Sequence, residues 1–217
     1  MKSKRLLVSF ILNLVIFSFV LIGTIIAFTI GDGILMAKFP DIFKYFTFQS
    51  NVYMAVVAII YAYYQLQMWL GKKENIPHVL NVFYHVGVTA VGLTFLVVII
   101  FLAPTYGFIK MYQYANLFFH ALAPAFAMAN YMFFNKECRI RVKDTPFAIT
   151  PCLLYGIVYF IVVVSNNAYG DINVDFYMFG KDGPWIGAIN FLSVMAIAYV
   201  MGLLVYFVNR LVFKKAK

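Results

Sequence analysis

Charge is what this sequence has least of. Only 12% of its 217 residues are Asp, Glu, Lys or Arg, and acids are scarcer than bases, eight against seventeen. Two cysteines, Cys138 and Cys152, rule against a disulfide framework and against a thiolate metal cluster. There is no His-Glu-x-x-His pattern and no carboxylate cluster, so no metal and no cofactor is expected. No polar stretch is long enough to form a soluble domain.

What the chain does have is apolar. Hydrophobic residues make up 64% and aromatic residues 19%, in runs longer than a soluble core helix needs. This predicts an all-α polytopic membrane protein: one domain, residues 1–217, of six transmembrane helices. The spans are expected at about 6–30, 45–70, 80–103, 115–134, 147–165 and 185–213. The first run is too long for a signal-peptide core and is followed by no clear small-residue cleavage site, so it reads as a span.

A net charge of +9 raises the question of nucleic acid. The charges, however, gather at span ends rather than along one face, which fits topology and lipid headgroups; membrane lipids are the expected partner and nucleic acid is not. Thirteen of the seventeen Lys and Arg residues fall in the two chain ends and in segments 71–79 and 135–145. The alternate segments carry only Lys38, Lys44, Lys110 and Lys181. The positive-inside bias therefore places both termini in the cytoplasm. Lys outnumbers Arg, and Ile, Asn, Phe and Tyr are abundant, which suits the plasma membrane of a bacterium with an AT-rich genome.

Within this apolar background one stretch stands out, Asn116-Leu-Phe-Phe-His120-Ala-Leu-Ala-Pro124. An imidazole in a span costs free energy and faces a bundle interior or a wet cavity; it is either a functional group with a partner or a hydrogen bond to a neighbouring helix. Asn116 lies one turn before it, and Pro124 removes a backbone donor and kinks the helix close by. The other polar concentration opens the second span, Tyr45-Phe-Thr47-Phe-Gln49-Ser50-Asn51. On a helix Thr47, Ser50 and Asn51 share a face and Gln49 points elsewhere. That face either binds a polar substrate or pins the helix to its neighbours.

Topology brings these two stretches together. The second and fourth spans run in the same direction, and Thr47 and His120 each lie about one turn, roughly 6 Å, past the start of their spans. His85 begins the third span at the opposite side, about 20 Å away along the axis, too far for a shared metal or a histidine dyad.

The motifs Tyr45-Phe-Thr47-Phe-Gln-Ser-Asn51 and Asn116-x-x-x-His120, in a six-span apolar chain, resemble those of the androgen-induced protein family, which has bacterial relatives. Its animal members are membrane hydrolases of fatty acid esters of hydroxy fatty acids that use a threonine and a histidine. The resemblance implies Thr47 as nucleophile, His120 as base and a lipid ester as substrate. Asp175-Phe-Tyr177-Met-Phe179 sits where the family often has Tyr-Pro-Phe, with Met178 in place of the proline.

The chemistry is sound: a threonine hydroxyl needs a base, and imidazole, with an unperturbed pKa of about 6.5, is suited to the task. Ser50, Asn51 or Asn116 is then expected to stabilise an oxyanion. Gln49, Tyr177 and Asn166 are further pocket candidates. With no acid inside the spans, the orienting group for His120 is expected to be an amide, or Asp175 folding in from its loop. Two alternatives stay open: a small-molecule or lipid transporter or binding protein, and a non-catalytic membrane subunit.

Overall fold

A computed structural model describes residues 4–31, 39–171 and 173–214. Residues 1–3 and 215–217 at the basic ends, and half of segment 31–44 between the first two expected spans, lie outside the described residues. Among those described there is no strand, and six helices are long and apolar enough to cross a membrane: Lys4–Thr29, Phe46–Trp69, His78–Leu102, Leu117–Phe134, Val142–Ser165 and Pro184–Phe213. The chain is thus an all-α, multi-pass membrane protein. An even number of spans returns it to the side on which it began, here called the basic end because the Lys- and Arg-rich segments 71–79 and 135–145 lie there.

Differences from the expected spans are local. The third span starts at His78, just after Pro77, rather than at residue 80. The fifth begins at Val142 rather than 147, as a 3-10 turn to Ile149 that holds Pro146 within it before the α-helix Thr150–Ser165 takes over. A tight turn tolerates that proline where a long α-helical interior would not.

The third span is the axis of the bundle. In its most apolar window 61% is buried, against 28% for the fifth and sixth spans, and it touches the second, fourth, fifth and sixth. Small residues permit this. A Cβ added at Gly87 would stand 2.9 Å from Met54 Sδ of the second span, and one at Gly92 would stand 2.6 Å from Met201 Cε of the sixth. The first span packs along the second and fourth, where a Cβ on Gly23 would come within 2.9 Å of Phe118 Cβ and of the Phe119 ring.

Buried polar groups form two layers. Near the basic end, Asn13 donates to Gln65 Oε1 (2.8 Å), Gln65 to Ser9 Oγ (2.8 Å), Tyr84 to Asn13 Oδ1 (2.6 Å) and Asn130 to Tyr84 Oη (2.9 Å). These bonds tie the first four spans together. The second layer, at the opposite end, holds Ser50, Asn51, Thr94, Asn116 and His120, all buried. About ten residues, or 15 Å of helix, separate Asn51 from Tyr61 and His120 from Asn130. That interval is filled by Ile16, Met54, Ala58, Val88, Val91 and Ala127, each buried and apolar. Thr89, at this level, turns its hydroxyl back onto the His85 carbonyl, 2.9 Å away.

Candidate functional site

Pro124 shapes the turn that carries His120. It has no N–H for the carbonyl four residues earlier, that of His120 itself, and its ring crowds that carbonyl. The helix responds by widening: Leu117–Leu122 is a π-helical turn, closed by Ala123 N–H bonding to the Phe118 carbonyl, five residues back. The third span shows the same response, with a π-turn over Val98–Leu102 ahead of Pro104.

His120 is 4% exposed, and its Nδ1 lies 2.9 Å from the Met111 carbonyl oxygen. A carbonyl only accepts, so Nδ1 must be the donor and carry the proton; in the neutral ring Nε2 then keeps its lone pair. Met111 is brought there by the connection between the third and fourth spans. Gly107, at φ +96°, starts the short helix Phe108–Met111, and buried Met111 packs with Val98 and Ala103. Gly107 needs its missing side chain for the backbone angle alone, since nothing lies within 4 Å of an added Cβ. The group that orients His120 is therefore a backbone carbonyl, which no residue type advertises in a sequence.

Thr47 lies in the first turn of the second span, partly exposed. First-turn amides have no acceptor inside the helix. That of Phe46 is met by Tyr177, whose hydroxyl accepts it at 3.0 Å and fastens the 166–183 loop one residue before Thr47. Burial pushes the pKa of the Tyr177 phenol up to about 12, against the downward pull of its hydrogen bonds with the Tyr155 hydroxyl and the Phe46 amide, so it stays a neutral hydroxyl. Tyr155 in turn donates to the Lys44 carbonyl (2.6 Å).

Asn51 joins the two halves of the site. Its Nδ2 donates to the Thr47 carbonyl (2.8 Å) and to the Phe119 carbonyl (3.1 Å), so one amide spans the turn bearing the threonine and the residue beside His120. Ser50 donates to the Thr47 carbonyl (3.1 Å) and stands 3.4 Å from Thr94 Oγ1. Asn116 is 3% exposed, and its Nδ2 has no hydrogen-bond partner among the described residues; Asn51 Oδ1 is likewise unmatched. Of the three amide or hydroxyl groups expected to face an oxyanion, Asn51 and Ser50 already spend donors on the protein, and Asn116 holds one free.

Other candidates stand elsewhere. Gln49 is exposed and donates to the Phe43 carbonyl (2.7 Å). Asn166 is exposed and donates to the Val162 carbonyl (2.7 Å) at the end of its own helix. Asp175 does not fold toward His120. It is fully buried in its own loop, accepting from the Tyr159 hydroxyl and from the amides of Gly170 (2.9 Å), Phe179 (3.0 Å) and Gly180 (2.8 Å). A buried carboxylate needs donors, and the turns around it supply them locally. Met178 sits in one of those turns at φ +56°, an angle closed to proline, so the Tyr-Pro-Phe geometry is not the one adopted here. His85, in the layer near the basic end, is fully buried beside the Tyr131 ring (centroids 5.4 Å apart), with no hydrogen-bond partner among the described residues at either nitrogen.

Among the described residues no group of three or more His, Cys, Asp or Glu stands close enough to hold a metal ion. Fold and composition define a multi-pass membrane protein whose most chemically suggestive cluster lies in the half of the bundle away from the basic end. Compared with family profiles, curated proteins and solved structures, the chain finds no match.

Proposed function

We propose that this chain is an intramembrane hydrolase of lipid esters, with Thr47 as nucleophile and His120 as base. The observation that carries the reading is the polarised imidazole: Nδ1–H is held by the Met111 carbonyl, and Nε2 keeps a lone pair in the layer that Asn51 shares with Thr47. The motif resemblance to the androgen-induced proteins supplies the substrate class, fatty acid esters of hydroxy fatty acids or similar lipids.

In this reading Thr47 Oγ1 attacks the ester carbonyl carbon while Nε2 takes the hydroxyl proton. The carbonyl oxygen becomes an oxyanion, met by the free Asn116 amide, and the positive end of the second helix adds its field. Collapse breaks the ester C–O bond, and the proton on Nε2 passes to the departing alkoxide. Water then attacks the acyl-threonine, giving its proton to Nε2, and the fatty acid leaves as Thr47 is restored. The buried apolar layer beneath the site interrupts any polar path through the membrane, which weighs against the transporter alternative.

The test is hydrolysis of a panel of long-chain acyl esters, branched ones included, by purified protein in detergent. Thr47→Ala and His120→Ala are assayed beside it, with thermal melting as the control for folding. Turnover by wild type that either substitution removes without loss of fold supports the dyad. An inert wild type, or variants of full activity, refutes it.

A further inference from the structure

At the basic end, some distance from His120, lies a cavity of about 520 Å³, a size typical of small-molecule sites. Its walls come from the two connections on that side, with Glu74 from one and Lys136, Glu137 and Arg139 from the other, and from His78 and Asn81 of the third span. The wall is anchored. Tyr61 donates to Asn81 Oδ1 (2.8 Å) and lies 3.3 Å from Asn135 Oδ1, while Cys138 Sγ reaches the Asn81 carbonyl at 3.5 Å. These contacts fix the residues on either side of Lys136 and Glu137.

The charges that line this cavity form no close ion pair with one another among the described residues. Asp144 takes up Arg141 (3.1 Å) and His78 (2.9 Å). Lys136, Arg139, Glu74 and Glu137 make no ion pair among the described residues. Glu137 Oε2 is buried with no hydrogen-bond partner among them, and burial raises its carboxyl pKa against the pull of Lys136 and Arg139. A carboxyl and two cations without a close ion pair, on the wall of a space large enough for a small molecule, suit a ligand that bears both a donor cation and an anion.

We propose that this cavity binds the phosphoethanolamine group, its phosphate toward Lys136 and Arg139 and its ammonium N–H toward Glu137. Two sources share that chemistry, a lipid headgroup at the membrane surface and a free phosphomonoester. The inference is independent of the hydrolase reading, because its readout is binding rather than turnover.

The experiment is calorimetric titration of the full chain in phosphatidylcholine nanodiscs with O-phosphoethanolamine, phosphocholine and inorganic phosphate. Thermal melting in discs with and without phosphatidylethanolamine is measured in parallel. The expected result is affinity for phosphoethanolamine at least tenfold above that for phosphocholine, whose quaternary nitrogen has no N–H to give Glu137. Glu137→Gln is expected to remove that preference, and Lys136→Ala with Arg139→Ala to remove binding altogether. Saturation by the free compound assigns the site to a solute; stabilisation only in phosphatidylethanolamine discs assigns it to a lipid. Equal affinity for phosphocholine or phosphate in wild type overturns the proposal without recourse to a variant, as does the absence of any binding or stabilisation.

Discussion

At the scale of single residues, the site depends on which hydrogen atoms are already committed. His120 is useful as a base only while Nδ1 carries the proton, and the Met111 carbonyl imposes that tautomer. Nitrogen NMR of the labelled ring is expected to show the neutral Nδ1–H form; an Nε2–H form would remove the base from the proposed reaction. Asn116 and Asn51 look equivalent in the sequence and differ in the fold. Asn116→Ala is expected to lower kcat by about 10²-fold or more with little change in KM, as for the loss of an oxyanion donor. Asn51→Ala removes bonds to Thr47 and Phe119, and is expected to lower the melting temperature, at about 0.6 kcal/mol for a typical bond between membrane helices. If Asn116→Ala melts early and retains full kcat, its amide is structural and the oxyanion assignment fails. A sequence shows residue types and spacing, so Thr47, Asn51, Asn116 and His120 can be singled out from it. It does not show backbone carbonyls, so side chains alone point to an amide or to Asp175 as the orienting group, and Asp175 is a carboxylate that the fold uses for Tyr159 and three amides of its own loop.

At the scale of elements, one connection and one close approach between helices hold the site, and each rests on a glycine. Gly107 at φ +96° starts the short helix that presents Met111. Gly107→Ala meets no steric obstacle, so its effect is purely conformational: a stability loss of about 1–3 kcal/mol and, in the hydrolase reading, a lower kcat as the Met111 carbonyl drifts from Nδ1. Steady-state kinetics beside a melting curve separates the two effects. Gly23 keeps the first span close to the π-turn. Gly23→Val is expected to push Phe118 and Phe119 outward and to reduce activity more than Gly71→Val, at a φ +75° turn with no neighbour within 4 Å of an added Cβ. Equal losses in the two variants would argue that the close approach at Gly23 has no bearing on the site. The helices themselves are legible as apolar runs, and Pro124 foretells a disturbed turn at His120. The early start of the fifth span is not legible, because Pro146 reads as a boundary unless a 3-10 turn is there to absorb it.

At the scale of the whole molecule, the division into layers predicts that stability and activity can be altered separately. Asn13 is bonded to Gln65, Tyr84 and Asn130, and sits below the apolar interval. Asn13→Leu leaves several buried partners unmatched, and is expected to cost about 1–3 kcal/mol while leaving the kcat of the folded fraction unchanged. A fall in kcat equal to that of Asn116→Ala would mean that the two layers are coupled. Asn13 is legible in the sequence as an interhelical bond, but its partners are not, since they come from three different spans and only packing brings them to one depth. The apolar interval between the layers also has an electrical meaning. Water and protons that enter from either face meet Ile16, Met54, Ala58, Val88, Val91 and Ala127, which offer no hydrogen bond to carry a charge onward. Such an interval is a dielectric barrier across which a membrane potential would fall, so that, in the hydrolase reading, proton transfer at His120 in one leaflet would not discharge the membrane.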